Sequence, residues 1–278
     1  MPPDSPLRSA AKTLAVLRGA RRVWAVGAVH GQASRLAELH AALAERWTYF
    51  DRLVYLGNLI GHGPDCLGVL DEVLAFRRRA LAVPHAIPDD IVLLRGRQEE
   101  MWQKLLQLQF AADPPGVLQW LISHGVGATL EAYGGSIAQA EAESRQGAVA
   151  LTRWTQTLRA VMQRHPGHAA LFANLRRAAY SDDNGLLLVS CGLDPTRRLD
   201  QQNDCFWWGH PAFGLEVKHF RPFGTVIRGL AEPRQGPAPG LLQDEQLVTL
   251  DGGSDQGGPL IAACFDTEGR LHDHVTVP

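Results

Sequence analysis

Three stretches decide the fold: Val23-Trp-Ala-Val-Gly-Ala-Val-His-Gly31, Leu53-Val-Tyr-Leu-Gly-Asn-Leu-Ile-Gly-His-Gly-Pro64 and Ile91-Val-Leu-Leu-Arg-Gly-Arg-Gln-Glu99. Each opens on a short apolar run and then meets a glycine. That pattern is a buried strand running into a tight turn. Between the first two, Ser34 is placed to cap a helix with Leu36, Leu39, Leu43 and Trp47 on one face. Between the second and third, Asp65 can cap a helix carrying Leu67, Leu70, Val73, Leu74 and Phe76. Strand and helix alternating at this spacing make a parallel α/β unit. The chemistry of such sheets sits at the carboxyl ends of the strands. Here those ends are 27–31, 57–64 and 96–99.

Working outward, residues 1–20 form a loose or partly helical lead-in. From Glu99 to about Asn174 the spacing is helical, with Met101, Leu105 and Leu108 in one run and Leu118, Leu121 and Ile122 in another. This segment suits a lid or cap over the sheet edge. The second half turns β-rich: 186–190, 224–228, 246–250, 260–265 and 272–277. Asp266-Thr-Glu-Gly269 is a turn between the last two, and Pro233 to Gly240 is a Pro/Gly-rich loop. The expected organisation is one domain over 21–278 with a helical insertion at about 99–176.

The totals exclude several classes. Of 278 residues, 45% are hydrophobic and 20% charged, which fits a chain with a sizeable core rather than a disordered one. Lys+Arg is 27 against Asp+Glu 29, a net charge of -2, so no nucleic-acid partner is expected. No apolar run approaches the ~18 residues of a membrane helix. Cys66, Cys191, Cys205 and Cys264 form no C-x-x-C pair and fit reduced thiols in a cytoplasmic protein. Nearly all the basic residues are arginine, and Ala and Gly are abundant, which fits a GC-rich bacterial genome.

In order along the chain, the strand ends resemble the motifs of the calcineurin-like metallophosphatases, on the branch of bacterial phosphoprotein phosphatases and diadenosine tetraphosphate hydrolases. The family's Gly-Asp-x-His-Gly corresponds to Gly27-Ala-Val-His-Gly31. Its Gly-Asp-x-x-x-Arg-Gly-Pro corresponds to Gly57-Asn-Leu-Ile-Gly-His-Gly-Pro64, and its Gly-Asn-His-Glu to Gly96-Arg-Gln-Glu99. Trp120 to Gly134 resembles the family's following helical stretch, and Val189-Ser-Cys-Gly-Leu-Asp-Pro195 its Val-His-Ala-Gly-Leu-x-Pro. Arg228-Gly-Leu230 stands where a Gly-His-Thr type motif belongs. Leu250-Asp-Gly-Gly253 with Gly257-Gly258 resembles the closing hairpin. The likeness covers about residues 22–277. It implies an α/β sandwich: two mixed β-sheets flanked by helices, the fold of serine/threonine phosphatases.

The departures fall on the chemistry. In the family two metal ions ~4 Å apart activate a bridging hydroxide. The six ligand positions correspond to Ala28, His30, Asn58, Arg97, Ser190 and Leu230, and only His30 keeps the family's residue. The position of the histidine acid is Gln98, and that of the phosphate-clamping arginine is His62. Two divalent ions at ~4 Å repel by about 16 kcal/mol at an effective dielectric of ~20. Carboxylates and hydroxide normally offset that; one imidazole and one amide do not, and the Arg97 guanidinium adds repulsion. The loop glycines Gly27, Gly31, Gly57, Gly63, Gly96 and Gly192 remain.

A kept scaffold with altered ligands implies a pseudophosphatase that acts by binding a protein partner of unspecified identity or a phosphate-containing ligand. No catalytic residue, metal ligand or cofactor is then expected. A candidate anion site comprises His30, His62, Arg95, Arg97 and Arg228, since arginine holds phosphate well. The plainer reading is that Arg97 pairs with Glu99 or Glu100. The alternative function is an active phosphoester hydrolase with relocated chemistry, using Mn²⁺, Mg²⁺ or Fe. His272 and His274 share one strand face but show no third ligand, so an exposed edge strand is the simpler reading. His165-Pro-Gly-His168 fits a helix-ending turn. Trp207 and Trp208 default to packing, and become a partner contact if exposed. Cys191 has no His–acid pair in sequence beside it.

Overall fold

The computed structural model describes residues 13–213, 220–231, 238 and 240–278. The three deciding stretches form β2 (Arg22–Val26), β3 (Asp51–Tyr55) and β4 (Ile91–Leu93), all parallel, with Trp24 opposite Leu53 and Leu53 opposite Ile91. Helix α1 (Ala33–Arg46) joins the first two, and α2 (Cys66–Ala80) precedes the third. On the other side of β2 runs β10 (Leu260–Asp266), antiparallel, followed by the edge strand β11 (Leu271–Val277). The order of this sheet is β11-β10-β2-β3-β4.

Along β2 the side chains alternate between two cores, so both faces are buried and the run is continuously apolar. Trp24 and Val26 pack with the outer helices, while Val23 and Ala25 pack inward. The inward core also takes Leu186, Leu188, Ile227 and Val248 from a second sheet. That sheet has the order β1-β5-β6-β7-β9-β8. Its strands are β1 (Leu14–Leu17), β5 (Ala178–Ser181), β6 (Leu186–Val189), β7 (Thr225–Arg228), β8 (Gly240–Asp244) and β9 (Leu247–Asp251). Parallel and antiparallel pairs occur in both sheets, so the expected sandwich of two mixed sheets flanked by helices is what the chain forms.

Between β4 and β5 the chain is helical: α3 (Arg97–Leu106), α4 (Pro114–Ser123), α5 (Val126–Ala132), α6 (Ile137–Arg145), α7 (Ala148–Arg164) and α8 (His168–Ala173). A short α9 (Cys205–Trp208) follows β6. No helix among the described residues is long and apolar enough to cross a membrane.

Several local expectations are corrected. Leu14–Leu17, placed in a loose lead-in, is a strand parallel to β5. Its partner is remote in sequence, so no local signal marked it. Ser34 does not cap α1; Gln32 holds that position without a side-chain bond. Asp65 caps α2 as expected, accepting from Gly68 N–H at 2.7 Å. The Pro/Gly-rich loop from Pro233 lies almost entirely outside the described residues. His165-Pro-Gly-His168 ends α7 as expected, and His168, fully buried, opens α8.

Candidate functional site

The loops after β2, β3 and β4 are stitched to one another by backbone hydrogen bonds. Val29 and His30 N–H both donate to Asn58 O at 2.9 Å, and Gly31 N–H donates to Leu59 O at 2.9 Å. His62 N–H donates to Gly125 O at 3.2 Å, and Gly61 N–H donates to Thr129 Oγ1 at 3.1 Å, tying the second loop to α5. His30, Asn58 and His62 adopt left-handed φ values of 49°, 55° and 60°. That region is uncommon outside glycine, though Asn and His enter it more readily than most residues. Gly96 lies so close to Asn58 that a Cβ would collide with the Asn58 backbone N.

Glu99 is the clamp under this arrangement. Its carboxylate is buried and accepts N–H bonds from Asn58 (2.8 Å), Leu59 (2.7 Å), Gly96 (2.8 Å) and, longer, Ile60 (3.4 Å). Burial pushes the carboxyl up, and the N–H groups of Asn58, Gly96 and Leu59 pull it back down. The sequence reading offered Glu99 only as a partner for Arg97. The available signal was its place three residues after the glycine that opens a helix, where an acid turns back onto free N–H groups.

The positions matched to the family's metal motifs are nearly all interior. Ala28, His30, Asn58, Gln98, Ser190 and Leu230 are buried, Arg97 is half-buried and His62 is exposed. Asn58 Oδ1 accepts the Gln98 N–H at 3.1 Å, and Gln98 Nε2 donates to His124 O at 2.7 Å. The Ser190 carbonyl accepts Gly229 N–H at 3.0 Å, which joins β6 to β7 beside Leu230. Ser254 Oγ donates to Ala28 O at 2.7 Å.

The five residues of the expected anion site are only partly brought together. The His30 and His62 rings meet edge to face, with centroids 5.1 Å apart. The Arg97 guanidinium lies 5.5 Å from the Trp208 ring centre, and the Glu99 carboxylate is taken by backbone N–H groups. Glu100 instead pairs with Arg95 at 2.9 Å, and Arg95 also donates to Gln103 Oε1 at 2.6 Å. Arg95 lines a separate cleft of about 340 Å³ with Trp102, Leu106 and Arg159. Arg228 donates to Thr249 Oγ1 at 3.0 Å, and burial lowers its pKa.

Aromatic rings continue this wall. Trp208 is half-buried and meets the Trp120 ring at 5.6 Å; Trp120 is 42% exposed and stacks on His124 at 4.3 Å. Trp207 is buried, with the Arg95 and Arg177 guanidiniums 6.0 and 5.8 Å from its ring centre. His272 and His274 are exposed on β11, and His272 faces Asp266 at 3.3 Å.

The residues present do not fit a two-metal centre. Among the described residues no group of three or more His, Cys, Asp or Glu side chains could hold a metal ion. Where a bridging carboxylate and an amide oxygen would be needed stand the Asn58 amide and the Arg97 guanidinium, and where imidazoles would be needed stand a hydroxyl and an isobutyl group.

No protein-family model matches the chain, and no curated protein matches it. Solved structures do. A protein described as a diadenosine tetraphosphatase superposes with a TM-score of 0.55 at 18% identity, covering 95% of this chain and 97% of that one. A serine/threonine phosphatase from Saccharomyces cerevisiae superposes with a TM-score of 0.53 at 16% identity, covering 98% of this chain and 85% of that one. At such identity the likeness shows the fold, which is that of the calcineurin-like metallophosphatases. It also corrects one expectation. The sequence reading expected no cofactor, but the chain shares its fold with phosphatases of a metal-using family.

Proposed function

We propose that the chain is a pseudophosphatase, a metallophosphatase-fold protein that has lost the two-metal site and acts by binding a phosphate-bearing ligand or a protein partner. One observation carries the reading: no carboxylate occupies any of the six inherited ligand positions, while the loops that held them remain hydrogen-bonded to each other. Two divalent ions there would face their mutual repulsion of about 16 kcal/mol at ~4 Å with no anionic side chain between them. Gln98 supports the same reading, because an amide cannot protonate a leaving group.

The test is metal content together with turnover of p-nitrophenyl phosphate and diadenosine tetraphosphate in added Mn²⁺. The expected result is no turnover above background. Stoichiometric metal with hydrolysis that disappears in His30→Ala would overturn the proposal and establish an active phosphoesterase.

A further inference from the structure

Among the described residues, three buried polar atoms at positions matched to the metal motifs lack a hydrogen-bond partner: Asn58 Nδ2, Gln98 Oε1 and Ser190 Oγ. Their residues are 1%, 2% and 0% exposed. Buried polar groups in folded proteins are nearly always satisfied, and one left bare is costly. Three such atoms at positions of one motif set point to an occupant.

The identity of each atom says which occupant. Asn58 Oδ1 is engaged by the Gln98 N–H, so the group Asn58 has left is its NH₂. A carboxylate at the same place would offer an oxygen lone pair instead. Ser190 brings a hydroxyl that can donate, where an imidazole would bring a lone pair for a metal. Arg97 stands at the neighbouring ligand position. The nearby carboxylates are turned onto backbone: Glu99 onto 58–60 and 96, and Asp251 onto the N–H groups of Ala231 and Gly253. The donor set has changed sign. These positions present N–H and O–H groups beside the Gln98 carbonyl and the buried His30 imidazole.

We infer that the inherited metal centre is an oxoanion site, taking a tetrahedral phosphate between Asn58 and Ser190, with the Gln98 carbonyl accepting from a P–OH group or a water. This rests on the reading of the protein as a binding protein and names the chemistry of its ligand. It changes the residues of the anion site as well: Asn58 and Ser190 carry it, and Arg95, engaged by Glu100 and Gln103, does not.

The experiment is calorimetric titration of the full chain with inorganic phosphate and, separately, with phenyl phosphate, each to roughly 10 mM, followed by Mn²⁺ titration. Wild type is expected to bind inorganic phosphate. Binding of phenyl phosphate as well marks the site as one for the phosphoryl end of an ester, and its failure marks it as one for the free anion. Asn58→Asp and Ser190→Ala are each expected to weaken phosphate binding about tenfold or more. The near-isosteric Asn58→Asp is also expected to gain Mn²⁺ affinity, which a merely structural asparagine would not do. Circular dichroism confirms that both variants fold. The inference is overturned if neither probe binds wild type, or if folded Asn58→Asp and Ser190→Ala bind phosphate as wild type does. Hydrolysis of p-nitrophenyl phosphate by wild type would instead overturn the functional reading, so the two failures are distinguishable.

Discussion

Replacing Glu99 by Gln tests whether one buried carboxylate holds the site loops. The change keeps the shape of the side chain and alters only its charge and one atom's polarity. Glu99 Oε1 takes Leu59 and Ile60 N–H, while Oε2 takes Asn58 and Gly96 N–H. Whichever oxygen becomes NH₂ then faces N–H donors with a donor of its own. At least one pair of contacts is lost, and hydrogen bonds to a charged acceptor contribute about 1.5–3 kcal/mol each. Against this, the amide no longer bears the cost of burying a charge, the effect that pushes the Glu99 carboxyl up. The net expectation is a loss of about 3 kcal/mol, or a fall in Tm of about 6–12 °C for a chain of this size. Urea unfolding gives the free energy. Amide hydrogen exchange at Asn58, Leu59 and Ile60 places the loss, because those N–H groups should lose protection first. A change below about 0.5 kcal/mol, the level of an ordinary surface substitution, would refute the clamp.

Two buried histidines set a pH dependence. His40 bridges Glu72 (2.7 Å) and Tyr55 OH (2.7 Å), and His168 bridges Asp71 (3.1 Å) and Tyr133 OH (2.8 Å), so adjacent acids of α2 anchor both. Burial lowers both imidazole pKa values, so the folded protein prefers them neutral. Their stability contribution is complete above the unfolded value near 6.5 and is lost as pH falls from there toward the folded values. The Tm should therefore drop between pH 7 and 5, and a His40→Gln/His168→Gln double variant should show a shallower slope; equal slopes would dismiss the effect. Gly96→Ala should cost about 1–3 kcal/mol, because the added Cβ meets the Asn58 backbone, and chemical denaturation reads it directly. Restoring Ala28→Asp, Asn58→Asp, Arg97→Asn, Gln98→His, Ser190→His and Leu230→His together should bring back Mn²⁺, measured by elemental analysis of the folded protein. A folded six-fold variant without metal would refute the positional match to the metallophosphatase motifs.

The parts of the fold legible in the sequence were those with a local cause. β2, β3 and β4 announced themselves because each is a short apolar run ended by a glycine, and Asp65 because a cap is a local bond. β1, β5 and β8 did not, since their pairing partners are set by the sheet and not by neighbours in the chain. The site divided in the same way. Which residues stand at the ligand positions could be read from the motifs. What those residues do could not: the pairing of Arg95 with Glu100, the Arg97–Trp208 contact and the exposed Trp120 depend on three-dimensional neighbours.

Decay and repurposing make different demands on such a site. A centre drifting without function has no reason to keep costly backbone, and residues at φ near +50° cost about 1–3 kcal/mol when they are not glycine. Here His30, Asn58 and His62 all stay left-handed, and Glu99 still gathers the N–H groups that hold Asn58 in place. The Asn58 amide is fixed at one end by Gln98 N–H, which leaves its buried NH₂ as the group open to a ligand. Strained backbone together with an amide where the motif has a carboxylate is what the proposed change of ligand requires. Asn58→Asp is therefore the single substitution on which the two accounts part. Under repurposing it exchanges phosphate affinity for metal affinity, whereas under decay it changes neither.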